Sequence, residues 1–520
     1  MSNHTLKEIQ KDIRLYNLKR TLVGISSIAA QIDLEEGRVK WVKYPNPKGG
    51  KELDIAIATH SLTIAAKVAL YSAENWAQRR AEVKDIVRFQ NWVSGLPDHF
   101  TSGNGHSVDQ FMFQTAYQQF PFQGKSEWQN LGRVLTLFRD IPQQMKQRGV
   151  PVPFDLPAEF VKYAGMSIEQ FIFTGMLIYG VAIEGTPIKL PYIDDANEKG
   201  LWKRAGANRP TAESVERFLE LTSRSPAELK ELIGDLSAQD ERSINLDFQP
   251  LLTFPIVRFS ALQAVVPIPK LLFDRITLGI FHDFADHLSE IKGANPFRQF
   301  FGDIFENYVR QQLELVFDED QLTYETEYGP KSKLRSTPDW YVKDRMGDLA
   351  LECKSSTFRL TTRTAADLKD LAKDLNRIAV DGIGQIRSKV GDVRSGDSLI
   401  TTDDSTNIHQ IISTYESTNV LGLFGGMIMD QLIELGESPT GFHLVPIIFL
   451  EQMCAYRDRD IFYKALDTLL VDDGWRDWTG PGIQDKFREA LPAEYPHNPI
   501  MDAAVEDFLS VIEQNDVDQK

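Results

Sequence analysis

The stretch that most constrains this chain is Gly347 to Ser355, GDLALECKS. Leu349, Leu351 and Cys353 alternate with Ala350, Glu352 and Lys354. A period of two is the signature of a strand, so Glu352 and Lys354 share one face and an apolar face lies behind them. Asp344 to Gly347 (DRMG) supplies turn chemistry just ahead of it, and Trp340-Tyr341-Val342 has strand propensity. The expected product is a hairpin that carries Asp339, in Thr337-Pro338-Asp339, across to Glu352, with twelve residues between them. Two carboxylates offer hard oxygen ligands to Mg²⁺, and a lysine beside them meets negative charge developing on a phosphate. Asp339, Glu352 and Lys354 together are what metal-dependent phosphodiester hydrolysis requires.

The flanks extend the pattern. Phe297 to Val316 carries apolar residues at 301, 304, 305, 308, 309, 313 and 316, one helical stripe after an Asn295-Pro296 start signal. At about 100° per residue Glu306 falls on the rim of that stripe and Asp303 points to solvent. Gln321 to Tyr328 reads as a strand ahead of the hairpin. After Lys354 a helix is expected from about Thr364 to Lys389, with Gln385 near its end. Phe442 to Leu450 (FHLVPIIFL) reads as a later buried strand.

The order helix, strand, strand, strand, helix, strand, with the acid-acid-lysine set on the central hairpin, resembles the PD-(D/E)xK nuclease superfamily. The resemblance covers about 295–451. It implies an α/β domain with an αβββαβ restriction-endonuclease-like core, a mixed central sheet and flanking helices. It also implies that Asp339 and Glu352 are metal ligands, with Glu306 as an auxiliary ligand. Lys354 would be the group that activates or orients water, and Gln385 a supporting catalytic contact. The implied cofactor is Mg²⁺, with Mn²⁺ as a substitute, and the implied products carry a 5′-phosphate and a 3′-hydroxyl.

Composition sets the partners. Lys and Arg number 57 against 74 Asp and Glu, a net charge of -17, which argues against a protein coated in nucleic acid over its whole surface. Residues 331–400 reverse the balance, with 14 Lys and Arg against 10 Asp and Glu. Lys331, Lys333, Arg335, Arg359 and Arg363 flank the expected site, where a phosphate backbone would approach. Only two cysteines, Cys353 and Cys454, fit a reducing cytoplasm. The charged N-terminus has no signal-peptide core, and Phe171 to Ile183 is too short an apolar run to span a bilayer, so no membrane partner is expected.

A chain of 520 residues divides into several domains. The expected partition is a mainly helical N-terminal domain at 1–190, a helical linker or accessory region at 191–290, the nuclease-like domain at 291–455 with an insert at 391–441, and a helical cap with a polar tail at 456–520. Helices are expected at Glu52 to Ala77, Val83 to Val93, Ser107 to Tyr117, Trp128 to Phe138 and Ser167 to Ile183, with a break from Lys189 to Pro210. Thr211 to Leu236 could be drawn as a helix-turn-helix, but residues 211–235 hold three Lys and Arg against six Asp and Glu, so it reads as packing helices. The glycines at 391 and 396 have P-loop spacing but Asp397 stands where the phosphate-binding lysine belongs. Gly382-Ile-Gly384 lacks the preceding strand and third glycine of a dinucleotide site.

The function implied is an intracellular, cytoplasmic endonuclease acting on DNA ahead of RNA. A helical N-terminal half would select substrate or control activation, as in a microbial restriction or anti-phage effector. Double-strand cleavage needs two active sites and hence a homodimer or higher oligomer. The alternatives are a catalytically silent binding or assembly module of the same fold, and a repair or junction-processing nuclease.

Overall fold

A computed structural model of the chain describes residues 4–34, 39–44, 52–96, 127–184, 188–189, 210–236, 239, 244, 248–289, 296–359, 362, 368–403, 405–416, 425–472 and 480–513. The protein is mixed α/β. At its centre a six-stranded sheet runs in simple sequence order: β1 Leu322–Tyr324, β2 Trp340–Val342, β3 Asp348–Lys354, β4 Ile408–Thr414, β5 Phe442–Pro446 and β6 Leu470–Val471. The first three strands are antiparallel, β3, β4 and β5 are parallel, and β6 closes the far edge antiparallel to β5.

The hairpin forms as the alternation and the turn residues require. Trp340 pairs with Leu351 and Val342 with Leu349, and the amide of Gly347 donates to the carbonyl of Asp344 at 3.1 Å. Gly347 sits at φ 144°, where a side chain would be strained and its Cβ would press on His409 at 3.0 Å. Strand β3 is buried from Asp348 to Cys353, so both its faces are covered and it is a central strand.

One cover is helix α1, Pro296–Leu313, whose Phe297, Phe301, Ile304, Phe305, Tyr308 and Val309 are all buried. The other is a long helix made of α2 (Leu368–Leu375), a π-helical turn (Asn376–Val380) and α3 (Asp381–Ser395). The parallel step from β3 to β4 needs a crossover of this length. Leu371, Leu375, Ile378, Ile383 and Ile386 bury the inner side of the crossover helix. Each fully buried leucine, isoleucine or phenylalanine contributes on the order of 1.5–3 kcal/mol.

Several expectations are corrected here. The region expected as an insert at 391–441 contains strand β4, paired along its whole length with β3, and helix α4, Gly425–Glu434. The run from Phe442 is a strand only to Pro446. It then becomes helix α5, Ile447–Ala455, so it is the fifth strand of the sheet and not the one that follows the crossover helix. Gln321 to Tyr328 is not one strand: Leu322–Tyr324 joins the sheet, whereas Glu327–Tyr328 leaves it and pairs with Arg335–Ser336. The expected helix from Glu52 begins as strand Leu53–Ala58, paired with Val39–Tyr44, and turns helical at Thr59–Ser72.

Apolar packing gathers the described residues into two cores. One unites Leu6 to Leu96 with Leu229 to Leu271; the other runs from Leu131 to Phe508 and contains the sheet. The segment 127–184 therefore packs with the sheet and not with residues 6–96. Phe138, on its π-helical turn, stacks on Phe297 and Phe301 of α1 at centroid distances of 6.5 and 5.8 Å. Helices α6 (Arg459–Asp467) and α7 (Pro499–Glu513) belong to the same core. The helices at Val83–Val93, Glu127–Leu135, Ile168–Ala182, Ala212–Thr222 and Pro226–Ile233 form where expected. The segments expected as a helix at Ser107 to Tyr117 and as a break at 190–209 lie outside the described residues, as do Arg363 and the polar tail from 514. Among the described residues no single helix is long and apolar enough to cross a membrane.

Candidate active site

Asp339 stands one residue before β2, and β3 brings Glu352 and Lys354 to the same end of the sheet. Because Trp340 pairs with Leu351, the next residue out, Asp339, shares the opposite face with Glu352. The Asp339 carboxylate accepts the backbone N–H of Cys353 at 2.7 Å, which fixes its direction. Helix α3 covers this face closely. A Cβ on Gly382 would stand 2.7 Å from Cε of Lys354, so the absence of a side chain there is what lets the lysine lie between strand and helix. Nζ of Lys354 donates to Oε1 of Gln385 at 2.5 Å and lies 3.5 Å from Oε2 of Glu352. Four of the five expected residues are thus in one group.

Two further residues join it. Lys389 forms an ion pair with Oε1 of Glu352 and lies 3.4 Å from both Asp339 and Glu325. The spacing from Gln385 to Lys389 is one helical turn, which puts both on the face that looks at the site. That signal was available in the sequence. Glu325 follows β1 and its amide donates to the Asp339 carbonyl at 3.1 Å, placing the two residues side by side.

Glu306 is placed differently. The indole N–H of Trp340 donates to the Glu306 carbonyl at 3.0 Å, so α1 covers the Leu351 face of the sheet, opposite Asp339 and Glu352. Its carboxylate accepts the Tyr324 hydroxyl at 3.4 Å. Among the described residues no three His, Cys, Asp or Glu side chains gather closely enough to hold a metal ion by themselves. The expected three carboxylates do not gather into one close ligand set, although Asp339 is the strongest-acting charge on Glu306.

The electrostatics show a surplus of acid. Burial, and then the charge of Asp339, pushes the Glu352 carboxyl up to about 7. Burial also raises Asp339, against the pull of Lys389. Burial pushes Glu306 up to about 8, helped by Asp339, Asp303 and Glu325. Burial opposes charge on Lys389, but Glu352 and Asp339 outweigh it and hold the ammonium above the usual lysine range. Glu352 is 2% exposed and Asp339 7%, so solvent screens little of this.

These residues fit a divalent cation in two respects. Oε1 of Glu352 is buried, and the partner it meets is a cation, the Lys389 ammonium. The Lys389 ammonium already lies among three carboxylates, so positive charge is what this position holds. Mg²⁺ is commonly held by one or two carboxylates, with water and phosphate oxygens completing the shell, and Asp339 with Glu352 meets that need. No family model matches the chain, and no curated protein or solved structure matches it either.

Cys353 and Cys454 are both free and buried. Burial raises the Cys353 thiol well above its ordinary value, which keeps it protonated and inert on the apolar face of β3.

Proposed function

We propose that this chain is a metal-dependent endonuclease of the PD-(D/E)xK type that hydrolyses phosphodiester bonds in nucleic acid, DNA ahead of RNA. The observation that carries the reading is the pair of buried carboxylates, Asp339 and Glu352, set at the end of a mixed sheet beside half-buried Lys354, which Gln385 holds from the exposed side of α3. The order α1, β1 to β3, α2 with α3, and β4 supports it, being the order expected for that fold.

In this reading Asp339 and Glu352 hold Mg²⁺ or Mn²⁺. When bound, the ion supplies charge neutralisation at the phosphate and makes a water more acidic. The chain's own residues do the rest. Cys353 N–H fixes the Asp339 carboxylate, and Gln385 with Glu352 fixes the Lys354 ammonium. Lys354 is thereby aimed beside the carboxylates, where it stabilises charge gathering on a phosphate oxygen as water attacks. Burial limits water around the Asp339 and Glu352 carboxylates, which strengthens their interactions.

The test is cleavage of plasmid, linear duplex, single-stranded DNA and RNA by purified protein with Mg²⁺, Mn²⁺ or EDTA, beside Asp339→Asn. Metal-dependent cutting that disappears in the variant is the expected result. Cutting that persists in EDTA or in the variant would refute the assignment. One observation favours a second reading: Lys389 alone already pairs with Asp339 and Glu352, as a permanent salt bridge in a catalytically silent binding module would. A folded protein that takes up neither metal would favour that module.

A further inference from the structure

Between Glu325 and Thr337 the chain leaves the sheet as a separate hairpin, Glu327–Tyr328 paired with Arg335–Ser336 and closed by a short helical turn, Lys331–Lys333. Its root abuts the site. The Thr326 amide donates to the Thr337 hydroxyl at 2.9 Å and the Thr337 amide to the Thr326 carbonyl at 3.1 Å, two residues before Asp339. Its orientation is fixed as well. The Tyr328 hydroxyl and the Arg335 guanidinium both bond Asp392 of α3, at 2.7 and 2.5 Å, on the helix that delivers Gln385 and Lys389. The arm and the site are therefore carried by the same two elements.

What the arm presents is positive. Glu327 to Ser336 holds three basic residues and one acid, Glu327, and the acid lies at the root and not at the tip, in a chain with a net charge of -17. Arg335 is committed to Asp392, but Lys331 and Lys333 are exposed, and among the described residues neither has an ion-pair partner. By contrast Arg359, also expected near a phosphate backbone, is committed to Asp374 and Asp370.

Resting on the nuclease reading, we propose that the hairpin 327–336 is the arm that grips the phosphate backbone of duplex DNA, with Lys331 and Lys333 as its contacts, and sets the strand over Asp339 and Glu352. Phosphate contacts position a duplex without reading its sequence, and each neutralised phosphate adds about 0.9 to the slope of log affinity against log salt.

The test is fluorescence anisotropy of a labelled short duplex with full-length protein in EDTA, over a salt series. Lys331→Glu combined with Lys333→Glu is expected to weaken binding at least tenfold at low salt and to reduce the salt slope by about 2. Both lysines are exposed, and the thermal midpoint should stay at the wild-type value. Turnover of thymidine 5′-p-nitrophenyl phosphate, too small to reach the arm, is expected to be unchanged. Equal affinity and equal slope in wild type and variant would overturn the arm, as would wild-type protein that does not bind the duplex. Failure of the nuclease reading looks different: duplex binding that depends on the two lysines, with no hydrolysis of any phosphodiester, would leave the arm standing and remove the enzyme.

Discussion

Two of the buried charged clusters in the larger core are built on opposite principles. Arg133 donates through Nε and Nη2 to the two oxygens of Glu451, both at 2.6 Å, and the Tyr308 hydroxyl adds a third bond at 2.7 Å. Asn498 then ties the Glu451 carbonyl and the Gln312 side chain at 3.0 and 2.6 Å. One charge meets one charge with bidentate geometry, and four segments distant in sequence are locked together. At the sheet end, Asp339, Glu352 and Glu325 surround Lys389, and Lys354 is shared with Gln385. There the acids exceed the bases, and burial raises the Asp339 and Glu352 carboxyl groups against the pull of the two lysines. A balanced buried pair specifies packing; an unbalanced one is poised to accept another cation.

The comparison can be broken in several ways. The largest expected effect is on activity: Asp339→Asn and Lys354→Ala should each lower the cleavage rate about 10³-fold or more, roughly 4 kcal/mol of transition-state stabilisation. Arg133→Met should leave the rate of folded protein unchanged, and equal losses of rate in all three would dissolve the distinction. Stability should sort the other way. Arg133→Met strands Glu451 and is expected to cost about 3–5 kcal/mol in urea denaturation, whatever metal is present.

Lys389→Met should cost the metal-free protein about 1–3 kcal/mol, because Glu352 and Asp339 lose their shared counter-ion. Excess Mg²⁺ should restore most of that loss, measured by thermal unfolding with and without EDTA. No recovery would mean that the acids do not accept a cation. Gly382→Ala is subtler. The new methyl meets the mobile end of Lys354, so the thermal midpoint should barely move while cleavage falls about 10–100-fold through misplacement of the ammonium. An unchanged rate would show that the position of Lys354 is not critical.

The smallest effect sharpens the comparison with a buried group that has no counter-charge. His443 donates through Nδ1 to the Leu466 carbonyl at 3.0 Å, leaving Nε2 to accept from His409 at 3.1 Å. Burial, reinforced by His409, pushes His443 down to about 3 from 6.5. The unfolded chain therefore takes up a proton below pH 6.5 that the folded chain refuses. Stability from this group is full above that pH and is lost toward pH 3, by up to about 1.4 kcal/mol per unit. Urea midpoints at neutral and mildly acid pH should fall less in His443→Gln than in wild type; parallel losses would exclude His443 as the cause.

Much of the site was legible because it rests on local rules. The alternation in β3, the turn at Asp344 to Gly347 and the parity of Asp339 follow from a period of two. The helical wheel found Glu306 at the rim of α1 but could not say which face of the sheet α1 covers, and so could not show that the three carboxylates stop short of one close ligand set. Lys389 was overlooked because a lysine on an amphipathic helix normally faces solvent; only its one-turn spacing from Gln385 pointed inward. Strand β4 hid in a polar stretch, and Leu53–Ala58 (LDIAIA) is a short apolar run whose period cannot distinguish strand from helix. Its partner strand is Val39–Tyr44, out of reach of local pattern.

The most direct test of the acid surplus is calorimetric titration of metal-free protein with Mn²⁺, beside Asp339→Asn and Arg133→Met. The account predicts uptake by wild type, loss of uptake in Asp339→Asn and retention in folded Arg133→Met. Uptake that survives Asp339→Asn, or none in wild type, would contradict it.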